Sequence, residues 1–306
     1  MNSGSLRSMK HLLSIESMSR MDMETILSAS RAMKKERGHH ARQSLSGQAW
    51  ALIFCKSSTR TRVSFEVGIR ELGGQVMFLN PNDIQLGRGE PIKDTARVLG
   101  RMIHGAVIRT FSQADVNEFA RFSGIPTINA LTDDEHPCQI LTDIFTFEEK
   151  RGPIQGKVVT FIGDGANNMT NSWIFSAAKL GFDFRIAAPK GYQPTAKTLA
   201  RAGGKIFVTD DVQAAAAGAD LLYTDVWVSM GQEAQSAERI KKMTGYQINE
   251  GLVRLAKPGA LVMHCLPAYR GKEIDEATFE ANAQTIFDQA ENRLHVQKAI
   301  LDWIVS

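Results

Sequence analysis

Short apolar runs alternate with amphipathic ones along almost the whole of this chain, and that alternation limits its fold more than any other feature. Trp50, Leu52, Ile53 and Phe54 have the make-up of a buried strand. Val63, Phe65, Val67, Ile69 and Leu72 continue after it as a helical run that Gly73-Gly74 ends. Further strands are predicted at 75–79, 106–109, 158–162, 184–188, 205–208, 221–223 and 261–264. Helices are predicted at 24–35, 92–102, 117–122, 172–180, 196–202 and 211–217. Strands that alternate with helices imply right-handed crossovers and parallel sheets covered on both faces, so the expected class is α/β, doubly wound.

A chain of 306 residues exceeds one average core, and two domains of about 150 residues are expected. The boundary falls at a helix over 139–150 that Arg151-Gly152-Pro153 ends, giving a first domain of 1–150 and a second of 151–289. A last helix over 292–304, with apolar Leu294, Val296, Ile300, Leu301 and Ile304, has no strand after it. Residues 290–306 are therefore expected to pack back across the first domain. Ligands of open α/β sheets sit beyond the carboxyl ends of the strands, which predicts an active-site cleft between the domains.

Composition narrows the partners. The net charge of +3 is carried by scattered basic residues, which excludes nucleic acid as the main partner and leaves room for an anionic small molecule. Cys55, Cys138 and Cys265 are an odd number without framework spacing, as expected of a reducing compartment. No cysteine–histidine cluster suggests a metal. No apolar run reaches membrane-spanning length, and Arg7 and Lys10 among serines make too short a stretch for a transit peptide. A cytoplasmic protein without membrane contact is expected.

The candidate chemistry lies at strand ends. Ser57-Ser58-Thr59-Arg60-Thr61-Arg62 is a polar loop opening a helix, with free N–H groups and the positive end of the macrodipole. Arg60 and Arg62 add planar forks suited to phosphate oxygens, so the loop is read as an anion site rather than a solvated N-cap. Arg109 closes its strand and can point into the same crevice. In His136-Pro137-Cys138-Gln139 the histidine either donates to a carbonyl oxygen or caps the helix that the proline starts. Gly163-Asp164-Gly165-Ala166-Asn167-Asn168 is half of a dinucleotide fingerprint lacking its third glycine; otherwise it is a loop whose asparagine amides face a polar ligand. Asp225 is placed for a ligand ammonium, ahead of a loop, Ser229-Met230-Gly231, in which Gly231 is a possible hinge. Cys265, in His264-Cys265-Leu266-Pro267, is either a catalyst or a small buried hydrophobe.

In this order, these motifs closely resemble the aspartate/ornithine carbamoyltransferases, and the ornithine branch in particular, over nearly the whole chain from Met9 to Ser306. The resemblance implies that Ser58, Thr59, Arg60, Thr61, Arg109, His136, Pro137, Cys138, Gln139, Cys265, Leu266 and Arg293 hold carbamoyl phosphate. Gln85 would reach the site of a neighbouring subunit in a homotrimer or multiple of trimers. Asn168, Asp225, Ser229 and Met230 would bind ornithine, and Cys265, Arg60, Arg109 and His136 would be catalytic. No cofactor or metal is implied. One departure is Cys55, where many relatives carry an acid before Lys56, which puts a local ion pair in doubt.

The implied reaction is attack of the ornithine side-chain amine on the carbamoyl carbon, giving citrulline and phosphate in arginine biosynthesis or breakdown. The amine must be neutral, and deprotonating a group of pKa ~10.4 costs about 3 kcal/mol at pH ~8. Cys265 would accept its proton or orient it. The rival readings are a sister enzyme using putrescine or an acylated ornithine, an NAD-dependent dehydrogenase, and a non-catalytic binding protein.

Overall fold

The computed structural model describes residues 9–39, 41–80, 89–229, 231, 234 and 236–306. These fall into two compact units. The first holds residues 9–14, Thr25–Asp133 and Leu294–Ser306; the second holds Ile15–Glu24 and Asp134–Arg293.

Helix α1 (Arg20–Lys35) precedes the first sheet. That sheet is built from β1 (Ala49–Phe54), α2 (Thr59–Glu71), β2 (Gln75–Leu79), α3 (Ile92–Leu99), β3 (Gly105–Arg109), α4 (Gln113–Ser123) and β4 (Thr127–Leu131). All pairings are parallel, in the order β2-β1-β3-β4. The inner strands β1 and β3 are buried almost throughout, as expected where helices cover both faces. Strand β4 was not anticipated from the sequence, because Thr127 and Asn129 interrupt its apolar pattern. Both are fully buried: Asn129 Nδ2 donates to the Leu13 carbonyl at 2.8 Å and to Gln113 Oε1 at 3.1 Å.

The second unit runs α5 (Pro137–Arg151), β5 (Val158–Ile162), α6 (Asn168–Leu180), β6 (Asp183–Ala187), α7 (Ala196–Ala202), β7 (Ile206–Thr209), α8 (Val212–Ala216) and β8 (Leu221–Thr224). It continues through α9 (Ser236–Met243), α10 (Glu250–Leu255), β9 (Leu261–His264) and α11 (Glu276–Ala281) into α12 (Ala283–Val305). The parallel sheet has the order β7-β6-β5-β8-β9. Trp173 anchors one side of its core, stacked on Phe184 at 6.0 Å and edge-on to Tyr223 at 5.4 Å.

Helices α9, α10 and α11 are short and were not anticipated; each buries only one or two side chains, too few for a periodic signal. Helix α12 begins at Ala283, well before the predicted 292, because buried Ile286 and Gln289 extend its inner face. Its last turns belong to the first unit, where Lys298 Nζ bonds Glu71 Oε2 at 2.6 Å. A Cβ on Gly68 of α2 would come within 3.1 Å of Lys298 Cγ, so glycine permits the close approach of α2 and α12 there.

Strand order reverses between β1 and β3 in the first sheet, and between β5 and β8 in the second. Such reversals open a crevice at the carboxyl ends, because the flanking connections leave on opposite faces.

Candidate active site

In the first unit, the β1–α2 loop lies at the reversal. Ser58 adopts an extended backbone, φ −161° and ψ 110°, and its hydroxyl accepts from the Thr61 N–H at 3.3 Å. Thr59 and Arg60 open the helix, where backbone N–H groups have no intrahelical carbonyl to reach and the dipole end is positive. No acidic side chain stands in the first turn to offset that field. Arg109, 5% exposed, ends β3, and its carbonyl accepts from the Cys55 N–H at 2.7 Å.

Arg62 departs from expectation. Its guanidinium lies 3.8 Å over the Phe78 ring and 3.6 Å from Glu66, so its charge is engaged on the flank of α2. Lys56 pairs with Asp133 and sits 4.2 Å over Phe111, so this lysine has an acidic partner although Cys55 precedes it.

In the second unit, His136 is the N-cap of α5, with Pro137 at the helix start, and its side chain makes no capping hydrogen bond. The capping reading is therefore set aside. The start of α6 holds this segment: the His136 N–H donates to Ser172 Oγ at 2.9 Å, and Asn171 Nδ2 donates to the Asp134 carbonyl at 3.0 Å. Glu135 beside it accepts from the Ile15 N–H at 2.7 Å and the Glu16 N–H at 3.4 Å, and burial pushes its carboxyl up to about 7. Burial also pushes the Cys138 thiol up to about 12, with the Arg293 charge acting in the opposite sense. Cys138 is thus an inert interior group.

After β5, Asn167 caps α6 through Oδ1, accepting from the Thr170 N–H at 2.8 Å, and Asn168 is the first helical residue. Asp164 pairs with Arg239 in the interior, and Arg239 Nε donates to the Trp227 carbonyl at 2.9 Å. A Cβ on Gly165 would stand 2.9 Å from Ile186 Cγ2 and 3.0 Å from the Tyr192 carbonyl oxygen. The glycine is therefore required by packing against β6 and its following turn, which accounts for the partial fingerprint without a dinucleotide.

At the ends of β8 and β9, Asp225 Oδ1 accepts from the Val226 N–H at 2.7 Å and from the Cys265 thiol at 3.0 Å. Burial raises the Asp225 carboxyl above its ordinary range, and burial with the Asp225 charge raises the Cys265 thiol well above its own. Cys265 is thus a neutral thiol that donates. The Leu266 N–H donates to His264 Nδ1 at 2.8 Å, which leaves the ring proton on Nε2, facing Glu273 Oε1 at 3.2 Å. The Tyr269 N–H reaches the same Glu273 oxygen at 2.6 Å. Leu266 itself has φ 60°, in the left-handed region, and a cis bond to Pro267. Ser229 is half-buried; Gln85 and Met230 lie outside the described residues.

Among the described residues, Asp225, His264 and Cys265 bring one possible metal-ligand atom each within 4.8 Å of one another. Both ring nitrogens of His264 are already hydrogen-bonded, and the thiol is bonded to the carboxylate, so this set is satisfied by its own bonds. Sequence reasoning missed Asp143, Tyr223, Gln289, Arg239 and Glu273. The one available signal was Asp143, an acid four residues after Gln139 and flanked by the apolar Ile140, Leu141, Ile144 and Phe145 of α5.

Two parallel sheets with polar groups gathered at their strand reversals define a class of doubly wound α/β proteins that bind small ligands at strand ends. The carbamoyl-P binding domain of aspartate/ornithine carbamoyltransferases matches residues 10–149, and their Asp/Orn binding domain matches residues 155–304. The chain belongs to the aspartate/ornithine carbamoyltransferase family. It is 57% identical over 297 residues to an ornithine carbamoyltransferase of Akkermansia muciniphila, covering 96% of this chain and 97% of that one. It is 49% identical over 303 residues to that of Campylobacter fetus, covering 96% and 98%. Among solved structures, the anabolic ornithine carbamoyltransferase from Campylobacter jejuni superimposes with a TM-score of 0.91 at 42% identity, covering 97% and 99%. The enzyme from Pyrococcus furiosus gives 0.88 at 42% identity, covering 95% and 96%.

Proposed function

We propose that this chain is an ornithine carbamoyltransferase, which moves the carbamoyl group of carbamoyl phosphate to the side-chain amine of L-ornithine and releases citrulline and phosphate. Within the family, the observation that carries the ornithine reading is the Asp225 carboxylate bonded to the Cys265 thiol at the ends of β8 and β9. A carboxylate there suits an amino-acid ammonium. Ser58, Thr59, Arg60, Thr61 and Arg109 bind the phosphate, and His136, Gln139 and Arg293 the carbamoyl group. Pro137 and Cys138 shape the turn between them, Cys265 and Leu266 line the reaction centre, and Asn168, Asp225, Ser229 and Met230 take ornithine.

The neutral amine attacks the carbamoyl carbon, the carbon–oxygen bond to phosphate breaks, and the departing phosphate takes the amine's proton. Arg60, Arg109 and His136 stabilise the charge that develops on the carbonyl oxygen and the phosphate. A thiol that donates to Asp225 is a poor base, so Cys265 orients the amine rather than deprotonating it. The chain works in the cytoplasm, where its three free cysteines stay reduced; cell fractionation checks this. It assembles as a homotrimer in which Gln85 completes a neighbour's site, and sedimentation should give three times the chain mass or a multiple of it.

The functional test is citrulline and phosphate formed in equal amounts by the purified protein. Arg60→Ala should lower turnover about a hundredfold, since losing one such transition-state contact costs on the order of 3 kcal/mol. More than half of wild-type turnover in folded Arg60→Ala would remove the β1–α2 loop from the site.

A further inference from the structure

Behind Gln139 lies a closed set of hydrogen bonds that the proposed reaction does not itself use. Gln139 Nε2 donates to Asp143 Oδ1 at 2.8 Å, one helical turn further along α5. Gln289 Nε2, from α12, donates to the same oxygen at 2.7 Å, and the Tyr223 hydroxyl, from β8, donates to Asp143 Oδ2 at 2.8 Å. Gln289 Oε1 in turn accepts from the His264 N–H at 3.1 Å, the residue before Cys265. Gln139, Asp143, Tyr223 and Gln289 are each no more than 1% exposed.

A carboxylate accepts and never donates, so Asp143 dictates which way the Gln139 amide faces: its NH2 must point at the carboxylate. The Gln139 oxygen is thereby turned away, buried, and without a hydrogen bond among the described residues. A buried acceptor left open in this way selects a donor on its ligand. Carbamoyl phosphate has one kind of donor, its carbamoyl NH2; its remaining polar atoms are acceptors.

We infer that Asp143 is a positioning residue that locks the Gln139 side-chain amide with its oxygen toward the carbamoyl NH2, while Gln289 ties the same carboxyl to the backbone that carries Cys265. This rests on the reading of Gln139 as a carbamoyl-phosphate ligand. The role is one of acceptor geometry and not of charge. Burial pushes the Asp143 carboxyl up to about 7, and a neutral acid that keeps one oxygen toward both glutamines preserves the same arrangement. Asparagine does likewise, with its oxygen toward Gln139 and Gln289 and its NH2 toward the Tyr223 hydroxyl.

The test compares two ligands on three proteins. Dissociation constants for carbamoyl phosphate and for inorganic phosphate, which lacks the NH2, are measured on wild type, Asp143→Asn and Asp143→Leu. Asp143→Leu removes the acceptor, so the amide turns freely; carbamoyl phosphate should weaken ~10-fold or more, the usual consequence of an unmade buried hydrogen bond. Inorganic phosphate should stay within ~2-fold, because it never meets Gln139. Asp143→Asn should keep both affinities. If the leucine variant does not fold, Asp143→Ser carries the same expectation, since its short hydroxyl turns back to a helix carbonyl and admits water.

Parallel loss of both ligands would mark Asp143 as merely structural and overturn the inference. So would equal losses in the asparagine and leucine variants, or undiminished carbamoyl-phosphate binding in the leucine variant. Failure of the wild-type protein to bind carbamoyl phosphate at all would instead sink the functional reading.

Discussion

Cys265 works in a field set by its neighbours. Its thiol donates to Asp225, and both groups sit where burial favours their neutral forms. Serine can make the same donation and alanine cannot, so Cys265→Ser should keep more turnover than Cys265→Ala. The alanine variant should fall ~10-fold or more for one lost hydrogen bond in a buried site. Affinity for carbamoyl phosphate should change little in either variant. A serine variant as inactive as the alanine one, with an ionisation missing from its pH–rate profile, would restore a proton-acceptor role to the thiol. The choice between base and orienter was not legible in the sequence, because it depends on Asp225, forty residues away in the chain. Gln289 was hidden for the same reason: its partners, Asp143 and the His264 N–H, lie on α5 and β9.

At the scale of elements, loops at strand ends were legible where a change in composition marks them. Ser58–Thr61, His136–Gln139 and His264–Leu266 each break an apolar run with polar or cyclic residues, and each follows a strand or opens a helix in the structure. Strand β4 was not legible, since its two buried polar side chains break the apolar pattern and find their partners outside it, Thr127 at the Ile125 carbonyl and Asn129 at the Leu13 carbonyl and Gln113. The segment just before α5 carries a titration that can be measured. Glu135 accepts from two backbone N–H groups, and burial raises it to about 7 from an ordinary value of ~4.3. The raised folded-state value means the native state holds this proton longer than the unfolded chain. Its contribution to stability is therefore full below pH ~4.3 and is lost as pH rises through about 7. In denaturant melts, the stability of wild type relative to Glu135→Gln should decline across that window and level off above it. A difference that grows with pH would mean that hydrogen bonding to the carboxylate outweighs its burial.

For the whole molecule, strand–helix alternation was enough to give two parallel α/β units, because a right-handed crossover leaves few alternatives. The short helices α9–α11 and the early start of α12 depend on packing that no local pattern records. The choice of amine is a property of the complete site. Ornithine brings an α-ammonium and an α-carboxylate that putrescine lacks, and an acylated ornithine lacks the ammonium charge. A site whose buried polar groups are built to pair with a ligand rejects an analogue that leaves them unpaired, often by 10⁴ or so. The most direct measurement is kcat/KM for ornithine, putrescine and acetylornithine, with saturating carbamoyl phosphate and the wild-type protein. Ornithine should lead by orders of magnitude, and Asp225→Asn should erode that lead. Comparable efficiency with putrescine or acetylornithine would contradict the ornithine assignment while leaving the chain in its family.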